Sequence, residues 1–136
     1  MPRNRKKYQH AEHNEKACKY LHKSNNFVDW VITTAFYSAI HFADYVLFPG
    51  DYETLSGDIK HFETFDNFYF MCRGEYDDRH MFRYSLIEQT IPEIADDFKT
   101  LMDNCRTARY VEYNFPAKIG DLSIKCLNDI KEVCSD

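Results

Sequence analysis

Residues 29–48 read DWVITTAFYSAIHFADYVLF, and the choice between helix and strand for this stretch decides the fold. Its β-branched residues Val31, Ile32, Thr33 and Thr34 favour a strand, but three features outweigh them. The stretch runs far past the roughly 4–8 residues of a buried strand. Ala35, Ser38, Ala39 and Ala43 are small enough to let a neighbouring helix approach closely, and Pro49-Gly50 supplies a stop. A helix that is apolar on nearly every side is the central element of a bundle, touched by neighbours on several faces.

Outward from it, the punctuation is helical. Upstream, KSNNFVD (23–29) contains breakers and a cap, Asn26 or Asp29, preceded by a helix over Tyr8 to Lys23 whose stripe is Ala11, Asn14, Ala17, Cys18 and Leu21. Downstream, residues 50–60 read as a loop, and His61 to Cys72 as an aromatic-rich element with Phe62, Phe65, Phe68, Tyr69 and Phe70. After the charged RGEYDD (73–78), a helix is expected over Arg79 to Thr90. Pro92 is then placed to open another running to Tyr113, since a first-turn proline loses no helical hydrogen bond. NFPAKIGD (114–121) ends it. Asp121 is placed to cap a last helix to Val133, with Ile119, Leu122, Cys126, Ile130 and Val133 inward. The expected fold class is all-α, an antiparallel bundle of four long helices plus one or two short ones.

Length and composition agree. The 136 residues suffice for one domain with a single sizeable core, with residues 1–7 expected as a basic, disordered arm. Eleven Phe, ten Tyr and one Trp supply packing surface, while only four Gly and four Pro disfavour strand-and-turn folds and glycine-rich phosphate loops. The five cysteines are odd in number and lack Cys-x-x-Cys spacing, which argues for a reducing compartment over a disulfide or zinc framework. No secretory signal or membrane anchor follows the basic N-terminus, so a cytoplasmic protein is expected. The net charge of -5 argues against a broad, sequence-blind DNA-binding surface. Arg3, Arg5, Lys6, Lys7, Lys16, Lys19 and Lys23 nonetheless make the first segment locally basic.

MDNCRTARYVEYNF (102–115) holds the candidate ligand site. At 100° per residue, Ile94, Phe98, Leu101, Cys105 and Ala108 form the core stripe, Arg109 sits at its shoulder, and Arg106, Tyr110 and Tyr113 line the adjoining flank with Ala95 and Met102. A guanidinium at a core shoulder needs a partner. Locally, Asp103 and Glu112 are available to Arg106 and Arg109; functionally, the same group is a phosphate or RNA contact beside stacking rings. Among histidines, His10 and His13 share one side of the first helix without a clear third metal ligand, His41 lies in the apolar helix with Asp44 three residues on, and His61 and His80 stand near helix starts. No Glu-x-x-His pair of the bundle di-metal type occurs, no Ser-His-Asp arrangement is recognisable, and no metal or cofactor is expected.

DWVITTAFYSAIHFADYVL (29–47) followed by LMDNCRTARY (101–110), with HAEHNEKACKYL (10–21) and RHMFRYSLIEQTIPEIADDF (79–98) between and before them, resembles the HEPN domain family, the higher-eukaryote and prokaryote nucleotide-binding domains. The resemblance implies a four- or five-helix bundle that often dimerises, with its site at the dimer groove. Many members are metal-independent RNases of toxin-antitoxin or other defence systems; others are non-catalytic partners or nucleotide binders. The family's nuclease motif is Arg, four to six residues, then His. Arg106 matches the arginine, but positions 111–113 are Val111, Glu112 and Tyr113, and counting from Arg109 reaches Asn114, Phe115 and Pro116. Arg5 to His10 and Arg73 to His80 meet the spacing only at a terminus and across a loop. Tyrosine, with a pKa near 10, is a poor general base.

The expectation is therefore a non-catalytic, homodimeric HEPN-like module binding a nucleotide, RNA or partner protein through Arg106, Arg109, Tyr110 and Tyr113. The alternatives are a metal-independent endoribonuclease, with Arg106, His41 and His80 as catalytic candidates, and a purely structural interaction partner.

Overall fold

Burial of one helix organises the chain. The computed structural model describes residues 3–136. It contains α1 (Arg5–Ser24), α2 (Val28–Leu47), a hairpin of β1 (Gly50–Glu53) and β2 (Ile59–Phe62), α3 (Phe65–Cys72), α4 (Arg79–Thr90), a 3-10 turn (Pro92–Ile94), α5 (Ala95–Tyr110) and α6 (Ala117–Cys134). Four long helices and two shorter ones form an all-α bundle, and α2 is packed by α1, α5 and α6. The small residues act as expected: Ala35, Ser38, Ala39 and Ala43 are fully buried. Ser38 Oγ donates to the Ala11 carbonyl at 2.7 Å, so α1 and α2 lie nearly backbone to backbone. No helix among the described residues is long and apolar enough to cross a membrane.

Several boundaries differ from the sequence expectation. Helix α1 begins at Arg5 because the Asn4 side chain accepts the Lys6 N–H, so residues 5–7 of the expected arm are helical. Arg3 and Arg5 also pair with Asp136. Met1 and Pro2 lie outside the described residues. Neither Asn26 nor Asp29 caps α2, which starts behind Phe27 with no side-chain cap. Asn25 instead closes α1 in the left-handed conformation. Pro92 opens a 3-10 turn before α5, and α5 stops at Tyr110, short of Tyr113. Asp121 lies inside α6, bonded to His22, and does not cap it. Leu122 and Val133 are exposed, while Ser123, Leu127 and Cys134 are buried in the face that also holds Cys126 and Ile130.

The largest departure is the hairpin, expected as a loop running into the third element. Gly50 pairs with Phe62 and Glu53 with Ile59 around a turn at Gly57, whose φ of 92° suits glycine. A side chain at Gly50 would meet the Leu47 carbonyl at 2.6 Å, so only glycine lets the chain turn this tightly off α2. Tyr52 folds back and donates to that same carbonyl at 2.5 Å. Its ring joins Phe48, Phe62 and Phe68 in an aromatic cluster that anchors the two short strands.

A buried ion pair fastens α4 to α2. Arg83 donates to both oxygens of Asp44 at 2.9 and 3.0 Å, and the guanidinium lies 3.7 Å from the centre of the Phe65 ring. With only 7% and 6% of the two side chains exposed, each charge depends on the other. Arg83→Met strands the Asp44 carboxylate and is expected to cost about 3–5 kcal/mol in urea unfolding, whereas the double variant Asp44→Leu, Arg83→Met regains most of that loss. Equal stability of Arg83→Met and wild type would show that the pair is dispensable.

Candidate functional site

Helix α2 leaves one stripe open. Trp30, Thr34, Tyr37 and His41 follow i, i+4, i+7, i+11 spacing and retain exposure, while the residues between them are buried. This stripe floors a groove bounded by α1 on one side and by α4 and α5 on the other. Two clefts, an inner and an outer, share Tyr37 and Arg109 as a common wall.

The inner cleft, about 60 Å³, brings together Tyr37, His80, Arg106, Arg109 and Tyr110 over a floor of Phe36. Arg106 Nη2 donates to Asp78 Oδ2 at 2.5 Å. Asp78 also caps α4, its other oxygen accepting the His80 N–H at 2.9 Å. One carboxylate thus sets both the first turn of α4 and the direction of an α5 arginine. Arg109 Nη1 donates to the Tyr37 hydroxyl at 2.6 Å, with its guanidinium 5.7 Å from the Tyr110 ring centre. The expected local partners are not used: Asp103 is held by Lys99, and Glu112 accepts from the Asn114 N–H. Among the described residues Arg109 therefore has a phenol and no carboxylate as its hydrogen-bond partner, and Arg106 shares its one carboxylate with a helix cap.

The histidine of this cleft, His80, comes from α4. Its ring stands edge-on to Phe36 at 5.0 Å between centres, and Nδ1 is buried without a hydrogen-bond partner among the described residues. Burial, reinforced by Arg83 and Arg106 against the opposing Asp78, pushes its pKa below the ordinary 6.5. The remaining candidates disperse. Tyr113 lies past the end of α5 and lines a separate hollow with Trp30, Asn114 and Phe115. Met102, placed on the flank by angle, is buried with the core stripe, and burial raises the Cys105 thiol pKa, so that thiol is inert. His61 sits on β2 between Asp51 and Glu63, whose hydrogen bonds raise its pKa. His13 finds no partners for a metal, and no cluster of three ligating side chains occurs among the described residues.

The outer cleft, about 430 Å³, contains His10, Asn14, Trp30 and His41 beside Tyr37 and Arg109. His10 and His41 are stacked, ring centres 3.8 Å apart and planes within 20°. Asp44 does not bond His41, being engaged by Arg83. Trp30, 53% exposed, was not picked out from the sequence as a site residue. Its signal is the i, i+4, i+7, i+11 spacing to Thr34, Tyr37 and His41, which places the four on one face of α2. Comparison with family models, with characterised proteins and with solved structures gave no match.

Burial, then the neighbouring His10, lowers the His41 pKa to about 4 from 6.5. Between these values the unfolded chain binds more protons than the folded one. Stability attributable to His41 is therefore full above pH 6.5 and falls as pH drops towards 4. His41→Gln is expected to flatten that part of the urea-stability profile, and an unchanged slope would show that His41 titrates normally.

Proposed function

We propose that the chain is a non-catalytic binding module, HEPN-like and homodimeric, whose inner cleft takes a phosphate group of a nucleotide or RNA. The observation that carries this is the convergence of Arg106 and Arg109 beside Tyr37 and Tyr110, with one carboxylate, Asp78, bonded to Arg106 and a phenol, Tyr37, bonded to Arg109. Two guanidinium groups so poorly neutralised, in an acidic chain of net charge -5, favour an anionic ligand, and a guanidinium fork suits phosphate. The exposed rings Tyr110 and Tyr113 at the end of α5 are the surface for the second copy, and the resemblance to a nucleotide-binding family agrees with both points.

A labelled short RNA and a labelled nucleotide, titrated at low and physiological salt, test this. Arg106→Ala is expected to weaken binding about tenfold or more, corresponding to loss of a charge-assisted contact of about 1.5–3 kcal/mol, with the affinity of both proteins falling as salt rises. Absence of binding at either salt would end the proposal.

One observation favours a second reading, metal-independent RNA cleavage: His80 lines the same cleft as Arg106. In that chemistry the 2′-hydroxyl loses its proton to a base, the 2′-oxygen bonds phosphorus, and the phosphorus–5′-oxygen bond breaks as the leaving oxygen is protonated. Arginine stabilises the extra phosphoryl charge. This reading requires cleavage in EDTA that disappears in both Arg106→Ala and His80→Ala. RNA left intact by pure protein across varied sequences would exclude it.

A further inference from the structure

The two clefts divide by chemistry as well as size. The inner one, at about 60 Å³, has room for a few atoms beside two cations. The outer one, at about 430 Å³, falls in the range of small-molecule clefts; among the described residues its one arginine is Arg109, on the wall it shares with the inner cleft, opposite the stacked His10 and His41. Thr33 and Thr34 offer it little polarity, because their hydroxyls donate to the Asp29 and Trp30 carbonyls of their own helix at 2.8 and 2.7 Å. The Asn14 side chain has no hydrogen-bond partner among the described residues, leaving a donor and an acceptor for a ligand. Trp30 stands about 10 Å from Tyr37 along α2, at 1.5 Å per residue, with half its surface open.

A flat, neutral, edge-polar group joined to an anion fits this division. We propose that the outer cleft is a nucleobase subsite, in which a base stacks on Trp30 with its edge on Asn14, while the phosphate of the same nucleotide is held at Arg106 and Arg109. This rests on the phosphate-binding reading of the inner cleft and adds to it the orientation of the ligand and a stacking residue on α2. A phenyl ring would fill the same space but would leave Asn14 unpaired, which favours a base over a phosphorylated aromatic side chain.

Trp30 is the sole tryptophan of the chain, so its fluorescence reports stacking directly. Adenosine 5′-monophosphate, ribose 5-phosphate and phenyl phosphate are titrated by calorimetry and by fluorescence against wild type, Trp30→Ala and Asn14→Ala. The adenine nucleotide is expected to quench Trp30, and ribose 5-phosphate to displace it without quenching. Trp30→Ala, at an exposed position that spares the core, is expected to weaken the nucleotide about tenfold while leaving ribose 5-phosphate unchanged. Binding of both phosphates without quenching, or with equal affinity in Trp30→Ala, overturns the base subsite and leaves the phosphate cleft standing. Phenyl phosphate binding as tightly as the nucleotide overturns the role of Asn14 and, with it, the assignment of a base. Failure of all three ligands to bind overturns the phosphate cleft and the base subsite together.

Discussion

The near-complete burial of α2 is the constraint on which the rest depends. A helix covered by α1, α5 and α6 hides its apolar residues on most of its circumference, and the fully buried Ala35, Ser38, Ala39 and Ala43 make that cover close. What remains is one stripe. Any side chain on it is held by the best-packed element of the molecule, so Trp30, Tyr37 and His41 are presented from a rigid floor. The walls come from helices docked on that floor, which is why residues far apart in sequence converge over it. Such support from packed helices gives more precise geometry than a loop supplies.

Charge is distributed around that floor in two different ways. Deep in the α2–α4 contact, Arg83 and Asp44 are matched oxygen for nitrogen and shielded by Phe65, a closed arrangement with nothing left for a ligand. Glu15 is matched likewise by Lys19 and Lys131, tying α1 to α6. At the groove the matching is incomplete. Asp78 divides its oxygens between the His80 N–H and Arg106, and Arg109 leans on a neutral phenol. Each structural pair has a buried carboxylate, with Arg83 buried as well, whereas Arg106 and Asp78 both keep a large part of their side chains in solvent. Screening makes such an exposed contact weak.

The helices are legible in the sequence because their apolar period is long and their ends carry punctuation: α4 runs over Arg79–Thr90 as its pattern indicates. The hairpin is not, because its strands are four residues each, mostly exposed, and anchored by Tyr52 and Phe62 through contacts with aromatic residues on other elements. Angular placement correctly separates Cys105 from Arg106 and Arg109 on α5. It cannot supply their partners, since Asp78 is 28 residues away and Tyr37 is 72, and no local rule prefers these over Asp103 and Glu112. Trp30 is hidden for the opposite reason: among so many apolar neighbours, a tryptophan looks like core until the packing of the other helices leaves it uncovered.

Positions 111–113 carry no histidine, but His80 of α4 lines the cleft beside Arg106, and its environment bears on what that residue can do. Its Nδ1 is buried without a partner among the described residues, while the ring packs on Phe36 and borders the cleft. An orphaned buried N–H is rarer in proteins than an under-satisfied acceptor, so the less costly tautomer leaves Nδ1 bare and carries the proton on Nε2. Protonating both nitrogens would add a buried, unpaired charged donor, in keeping with the lowered pKa. A neutral ring in that tautomer presents a donor to the groove. A ring in that form is the wrong one to withdraw a proton from a hydroxyl. Under the phosphate-binding reading proposed above, convergence of His80 with the two arginines therefore adds a hydrogen-bond donor to the cleft more than a general base.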